Sequence, residues 1–149
     1  MTSQSFATSF VVDQTPAEVF AAIVNVRGWW TGDIEGGADQ LGDEFAYRYG
    51  DLHYSRQRVT ELVPDQKIVW RVVDAKLTFA EDPAEWVGTD ITFEIARTGD
   101  QTEVHFTHVG LVPEFDCFDD CSGGWSFFVN GSLRRLVTTG EGPLAPPWA

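Results

Sequence analysis

The chain has 149 residues, enough for one domain that buries roughly 70% of its unfolded surface without disulfide or metal staples. Its 23 acidic and 10 basic residues give a net charge of −13, and the only adjacent basic pair is Arg134–Arg135, so nucleic acid and anionic membrane surfaces are argued against. No apolar run approaches ~18 residues and no basic-then-apolar leader opens the chain; the expectation is a cytoplasmic protein with reduced cysteines and no membrane insertion.

The opening "SFATSFVVD" alternates, with Phe6, Thr8, Phe10 and Val12 on one face, and predicts a first strand. "DQTPAEVFAAIVNV" follows as a helix: Asp13 or Thr15 can cap it and Pro16 suits its first turn. Val19, Phe20, Ile23 and Val24 make its apolar stripe. "RGWWTGDIEGG" breaks the helix and leaves Trp29 and Trp30 in a connecting turn. From residue 41 the pattern has period two. Phe45, Tyr47 and Tyr49 share a face, "HYSRQRVTELVP" reads as a polar strand, and "KIVWRVVDAKLTF" reads as an apolar one. "TDITFEIART" and "TEVHFTHVGL" complete an antiparallel meander, with Ile91, Phe93, Ile95, Val104, Phe106 and His108 on one face. "AEDPAEWVG" is the loop joining two of these strands.

The last element runs from Trp125. Trp125, Phe128, Val129, Leu133, Leu136 and Val137 are spaced by threes and fours, an amphipathic helix stopped at Gly140 before a Pro-rich tail. Before it, "PEFDCFDDCSGG" reads as an entrance loop, with Gly123 and Gly124 supplying backbone freedom and Asp119, Asp120 or Ser122 available as caps. Two cysteines, Cys117 and Cys121, with histidines far off in sequence, fall short of the four ligands a structural zinc takes. They read as small, partly buried apolar groups. No metal or cofactor is expected.

Repeats and linkers are absent, so residues 1–149 form a single α+β domain. A curved antiparallel sheet wrapped around a long C-terminal helix buries one sheet face and leaves room for a pocket between them. Six tryptophans and eleven phenylalanines suit either an aromatic-rich core or a ring-lined cavity. The expected lining is Trp29, Trp30, Phe45, Tyr47, Tyr49, Trp70, Phe93, Phe106, His108, Trp125, Phe128, Val129 and Leu133. His105 and His108 are three apart on one strand and therefore face opposite ways. Asp74 shares the parity of Trp70 and Val72 and is read as a candidate buried carboxylate. Arg56, Arg58, Arg71 and Glu94 read as solvated or cross-strand pairs. No nucleophile elbow, phosphate loop or paired-carboxylate spacing appears.

The segments "TPAEVFAAIVNVRGWW", "LGDEFAYRY", "KIVWRV" and "GWSFFVNGSLRRLVTTGEGPLAPP" together resemble the START-like superfamily with its helix-grip fold. More narrowly they resemble bacterial homologues of the Hsp90 ATPase activator in the SRPBCC group. That resemblance implies a cavity for a small, mostly apolar ligand, such as a lipid-like or aromatic molecule. Relatives include carriers, polyketide aromatases and cyclases, and a co-chaperone domain. The eukaryotic co-chaperone has a further N-terminal domain for which this chain has no room, which disfavours a Hsp90-type chaperone as partner without excluding it. Three functions follow. The first is ligand binding without catalysis; the second is a cyclase-type enzyme using His108, Asp74 and Arg56. The third is an interaction module or homodimer, with exposed apolar surface around Trp86 or Trp148.

Overall fold

The computed structural model describes residues 5–30, 32–51, 53–78, 84–112 and 118–141, with the side chain of Asp120 excepted. Seven strands form one antiparallel sheet in the order β1-β7-β6-β5-β4-β3-β2. They are β1 Phe6–Val12, β2 Asp33–Gly36, β3 Glu44–Tyr49, β4 His53–Val63, β5 Lys67–Leu77, β6 Asp90–Thr98 and β7 Gln101–Val109. The α+β helix-grip fold expected from the sequence is the one observed.

Helix α1, Pro16–Val24, begins where its chemistry says it should. Thr15 caps it: the Thr15 hydroxyl accepts from the Glu18 N–H at 3.2 Å, and the Glu18 carboxylate accepts in return from the Thr15 N–H at 3.2 Å. Val19 and Ile23 are its buried residues, and each such burial stabilises by about 1.5–3 kcal/mol. A 3-10 turn, Val26–Gly28, then delivers Trp29 and Trp30 into the core. The glycine-rich segment after them holds a short strand, β2, that the breaker residues concealed. Gly36 closes it at φ 91°, where any Cβ would collide with the carbonyl of Glu44.

The C-terminal helix differs from expectation in where it starts and how it winds. It runs from Phe118, as α2 Phe118–Trp125, a π-helical stretch Ser126–Leu133, and α3 Arg134–Thr139. Gly123 and Gly124 therefore lie inside a helix rather than at a loop junction, and Asp119, Asp120 and Ser122 are helical residues rather than caps. Gly140, at φ 77°, ends it with its N–H donating to the Leu136 carbonyl. Cys121 is buried and free. Cys117, Trp148, the "PEFDC" part of the entrance segment and residues 80–83 of the "AEDPAEWVG" loop lie outside the described residues. Among the described residues, no helix is long and apolar enough to cross a membrane.

Candidate functional site

The inner face of the sheet is set by alternation and by a break in it between β4 and β5. On β3 and β6 alternation turns Phe45 and Tyr47, then Ile91, Phe93 and Ile95, into the core, although Thr92 on the opposite face of β6 is buried as well. On β7 it buries Val104, Phe106 and His108 and leaves His105 exposed on the other face. Between β4 and β5 the register slips: Arg56 opposes Asp74 while Gln57 opposes Val72, so Val73 is an extra residue, a β-bulge. The bulge reverses the parity of β5. Asp74 is therefore exposed, and Ala75 and Leu77 take the buried places. The buried carboxylate expected at Asp74 is corrected on that ground.

The rings of this face and of the helices converge. Trp30 stacks on Tyr47 at 4.1 Å between centroids and lies 5.0 Å from Trp125. Trp70 meets Phe45 at 4.9 Å and Phe93 at 5.0 Å, both edge-on. Trp125 continues to Phe106 at 4.7 Å and to Trp86 at 5.8 Å. Offset and edge contacts at these separations contribute about 0.5–1.5 kcal/mol each beyond burial. The π-helical stretch seals the nest with Phe128, Val129 and Leu133, all buried. Its wide turn is pinned by two side chains: the Ser132 hydroxyl donates to the Trp29 carbonyl at 2.6 Å, and the Thr8 hydroxyl donates to Asn130 Oδ1 at 3.1 Å. Of the thirteen predicted lining residues, twelve are buried; Tyr49 is half-buried at the end of β3, opposite His53.

Two histidines sit against this nest, both in edge contact with Trp86. The Trp86 ring meets His53 edge-on at 4.8 Å and His108 at 4.7 Å. His108 Nδ1 accepts from the Trp125 indole N–H at 3.0 Å, so its proton belongs on Nε2, 2.7 Å from the Thr89 hydroxyl. Thr89 in turn donates to the Trp86 carbonyl at 2.6 Å. Gly110 keeps room for this relay, because a Cβ there would come within 2.8 Å of Thr89. His53 Nε2 lies 3.0 Å from the Ser55 hydroxyl, which also accepts from the Gln57 amide at 2.5 Å. Burial pushes both imidazoles down to about 3, and the neighbouring His53 adds to the effect on His108. Burial likewise raises the Tyr47 phenol well above its usual range. The interior is neutral at any ordinary pH.

Three polar atoms inside this neutral space are buried and have no hydrogen-bond partner: Gln57 Oε1, Trp70 Nε1 and Trp86 Nε1. One acceptor and two indole donors are thus left open among rings. Charged groups, by contrast, sit outside. Arg58 donates to Glu44 at 2.8 Å, with Arg56 beside it at 3.4 Å, and the Arg58 hydrogen bond leads in holding that carboxyl below its ordinary range. Arg71 pairs with Asp90, and Glu94 is exposed. A cleft of about 290 Å³ opens at the end of α1, between Val24–Arg27 and Gly37–Asp39, and none of the nest's rings lines it.

The sequence reading missed His53, Ser55, Gln57, Trp86 and Thr89. Ser55, Gln57 and Val59 are buried at alternating positions of β4, but periodicity marks an inward face by its apolar residues, and here that face is polar. Trp86, expected at an exposed patch, is instead buried, stacked on Trp125.

The family model described as "Activator of Hsp90 ATPase homolog 1-like protein" matches residues 13–138. Among solved structures, the Aha1 dimer of Colwellia psychrerythraea is 26% identical, with a TM-score of 0.75 over 93% of this chain and 98% of that one. DynU16, from the dynemicin biosynthetic locus, is 16% identical with a TM-score of 0.67, over 94% of this chain but 49% of its own. CalU16 of Micromonospora echinospora is 15% identical with a TM-score of 0.63, over 97% and 78%. The last two show a shared fold alone. No curated protein matches the chain.

Proposed function

The chain belongs to the Activator of Hsp90 ATPase homolog 1-like family, and on that premise we propose that it binds a small, mostly apolar ligand between the inner sheet face and the C-terminal helix, without catalysis. The observation that carries this reading is the set of partnerless polar atoms, Gln57 Oε1, Trp70 Nε1 and Trp86 Nε1, inside the aromatic nest. A buried donor or acceptor without a partner costs about 1–3 kcal/mol. A flat ligand bearing a hydroxyl, which can donate to Gln57 Oε1 and accept from an indole N–H, would satisfy such atoms while stacking on the rings. With both histidines held neutral and every described ion pair outside, that ligand is uncharged where it is buried.

The same placement weighs against the cyclase-type reading. Of its three proton-transfer candidates, Asp74 is exposed and Arg56 is paired with Glu44. His108 alone is inside, and both its nitrogens are already engaged.

Titration with N-phenyl-1-naphthylamine, an uncharged aromatic amine that fluoresces in apolar sites, tests the proposal. Saturable one-to-one binding is expected, weakened about tenfold, or ~1.4 kcal/mol, by Gln57→Leu or Trp86→Phe. Unsaturable binding, or affinity indifferent to both substitutions, overturns it.

Self-association is a second reading. It is supported by the likeness, over nearly the whole of both chains, to a protein solved as a dimer. A Hsp90-type partner belongs to this reading and has no observation of its own in the described residues.

A further inference from the structure

The two edges of the sheet are treated differently. On β2 the guanidinium of Arg27 donates to the carbonyls of Ile34 at 3.0 Å and Gly36 at 2.8 Å. Those two residues share a parity, so Arg27 occupies the carbonyls that β2 turns away from β3. That edge is closed to further pairing.

On β1 nothing comparable is present. Phe6 donates its N–H to the Leu111 carbonyl at 2.8 Å, on the β7 side, so Phe6, Thr8, Phe10 and Val12 turn their backbone toward β7. Ala7, Ser9 and Val11 turn theirs outward. All three are exposed, and among the described residues no group pairs with their N–H or C=O. The strand carries no charge, no proline and no bulge against β7 between Phe6 and Val12. Natural proteins blunt exposed edges with those devices.

We propose that this edge is the surface on which a second copy of the chain docks. The two β1 strands would run antiparallel about a two-fold axis through Ser9, joining two seven-stranded sheets into one. The proposal rests on the self-association reading and adds to it a location. The likeness to a protein solved as a dimer argues for a second copy as the occupant, and charge argues for this edge as the place. On a chain of net charge −13, most contacts between copies bring acid against acid, whereas β1 offers an uncharged strip. The two-fold register keeps that advantage on the outer face. Val11, whose β7 neighbour is Glu103, would lie beside Ala7 of the second copy, whose neighbour is Thr107. No two carboxylates become adjacent. The three outward residues of each copy would supply about six new backbone hydrogen bonds, with self-complementarity that a two-fold interface demands.

Sedimentation equilibrium of the whole chain tests this. Wild type is expected to dimerise. Ser9→Pro removes an N–H that faces solvent, a position where an edge strand tolerates proline, and Ser9→Lys places two like charges directly opposite each other at the axis. Each is expected to weaken dimerisation at least tenfold, with circular dichroism and Tm near wild type. If Ser9→Pro fails to fold, Ser9→Lys carries the test together with Ser9→Cys. The latter is expected to form an intermolecular disulfide on mild oxidation, since directly opposed hydrogen-bonded residues sit ~5.5 Å apart. A dimer indifferent to Ser9→Lys, with no Ser9→Cys cross-link, overturns the β1 interface and leaves self-association standing. A wild type monomeric at all accessible concentrations overturns both.

Discussion

His108 shows how one side chain is fixed by its neighbours. The indole N–H of Trp125 points at Nδ1, and the Thr89 hydroxyl receives Nε2–H, so a second proton on the ring would oppose an N–H. Two predictions belong at this scale. The first is a pH dependence. Folded, His53 and His108 titrate near 3; unfolded, near 6.5. Between those values the unfolded chain holds more protons, so their contribution to stability is full above about pH 6.5 and is lost as pH falls toward 3. The slope approaches ~1.4 kcal/mol per pH unit for each histidine. The lowered Glu44 carboxyl acts in the same direction, but only below its unfolded value of 4.5. Denaturant unfolding between pH 6.5 and 4.5 is expected to show steadily falling stability, flattened in His53→Gln/His108→Gln. A double variant with the wild-type profile contradicts the buried, neutral assignment. The second concerns Trp125. Trp125→Phe keeps a ring but leaves Nδ1 without its donor, costing about 1–3 kcal/mol; Trp125→Ala costs about 3–5 kcal/mol. A Trp125→Phe variant as stable as wild type would mean the hydrogen bond contributes nothing.

At the scale of elements, legibility followed the strength of the local signal. Helix α1 was readable because Thr15, Pro16 and Glu18 form its start in sequence as they do in space. Thr15→Ala is expected to lower stability by about 1 kcal/mol in chemical denaturation. Strand β2 was hidden because its glycines read as breakers, although Gly36 sits there for its positive φ. The extra turns of the C-terminal helix were hidden by Gly123 and Gly124, residues whose propensity opposes a helix that the buried Cys121 and Trp125 favour through packing. The bulge at Val73 was not readable at all: one added residue changes no composition, yet it turns Asp74 outward. Asp74→Ala is accordingly expected to shift unfolding free energy by less than about 0.5 kcal/mol, as exposed positions do. A loss of several kcal/mol would show the carboxylate to be buried after all.

At the scale of the molecule, an acidic shell encloses an uncharged, ring-dense interior, and the two have different tasks. Trp70 and Trp125 were legible as inward residues because large aromatics at strand and helix periods have few other places to go, whereas Trp29 and Trp30, in a turn, were legible as inward only through the family likeness. The polar complement, Gln57 with the indole N–H groups of Trp70 and Trp86, was not, because orphaned atoms are a property of packing rather than of sequence. It is this complement that turns an aromatic core into a candidate binding site. The most direct test is native mass spectrometry of the freshly purified chain, intact and then denatured. One extra mass per chain that leaves on denaturation, from an uncharged molecule with an oxygen or nitrogen group for those atoms, is the predicted result. A bare chain mass in every preparation, unmoved by added N-phenyl-1-naphthylamine, would contradict it.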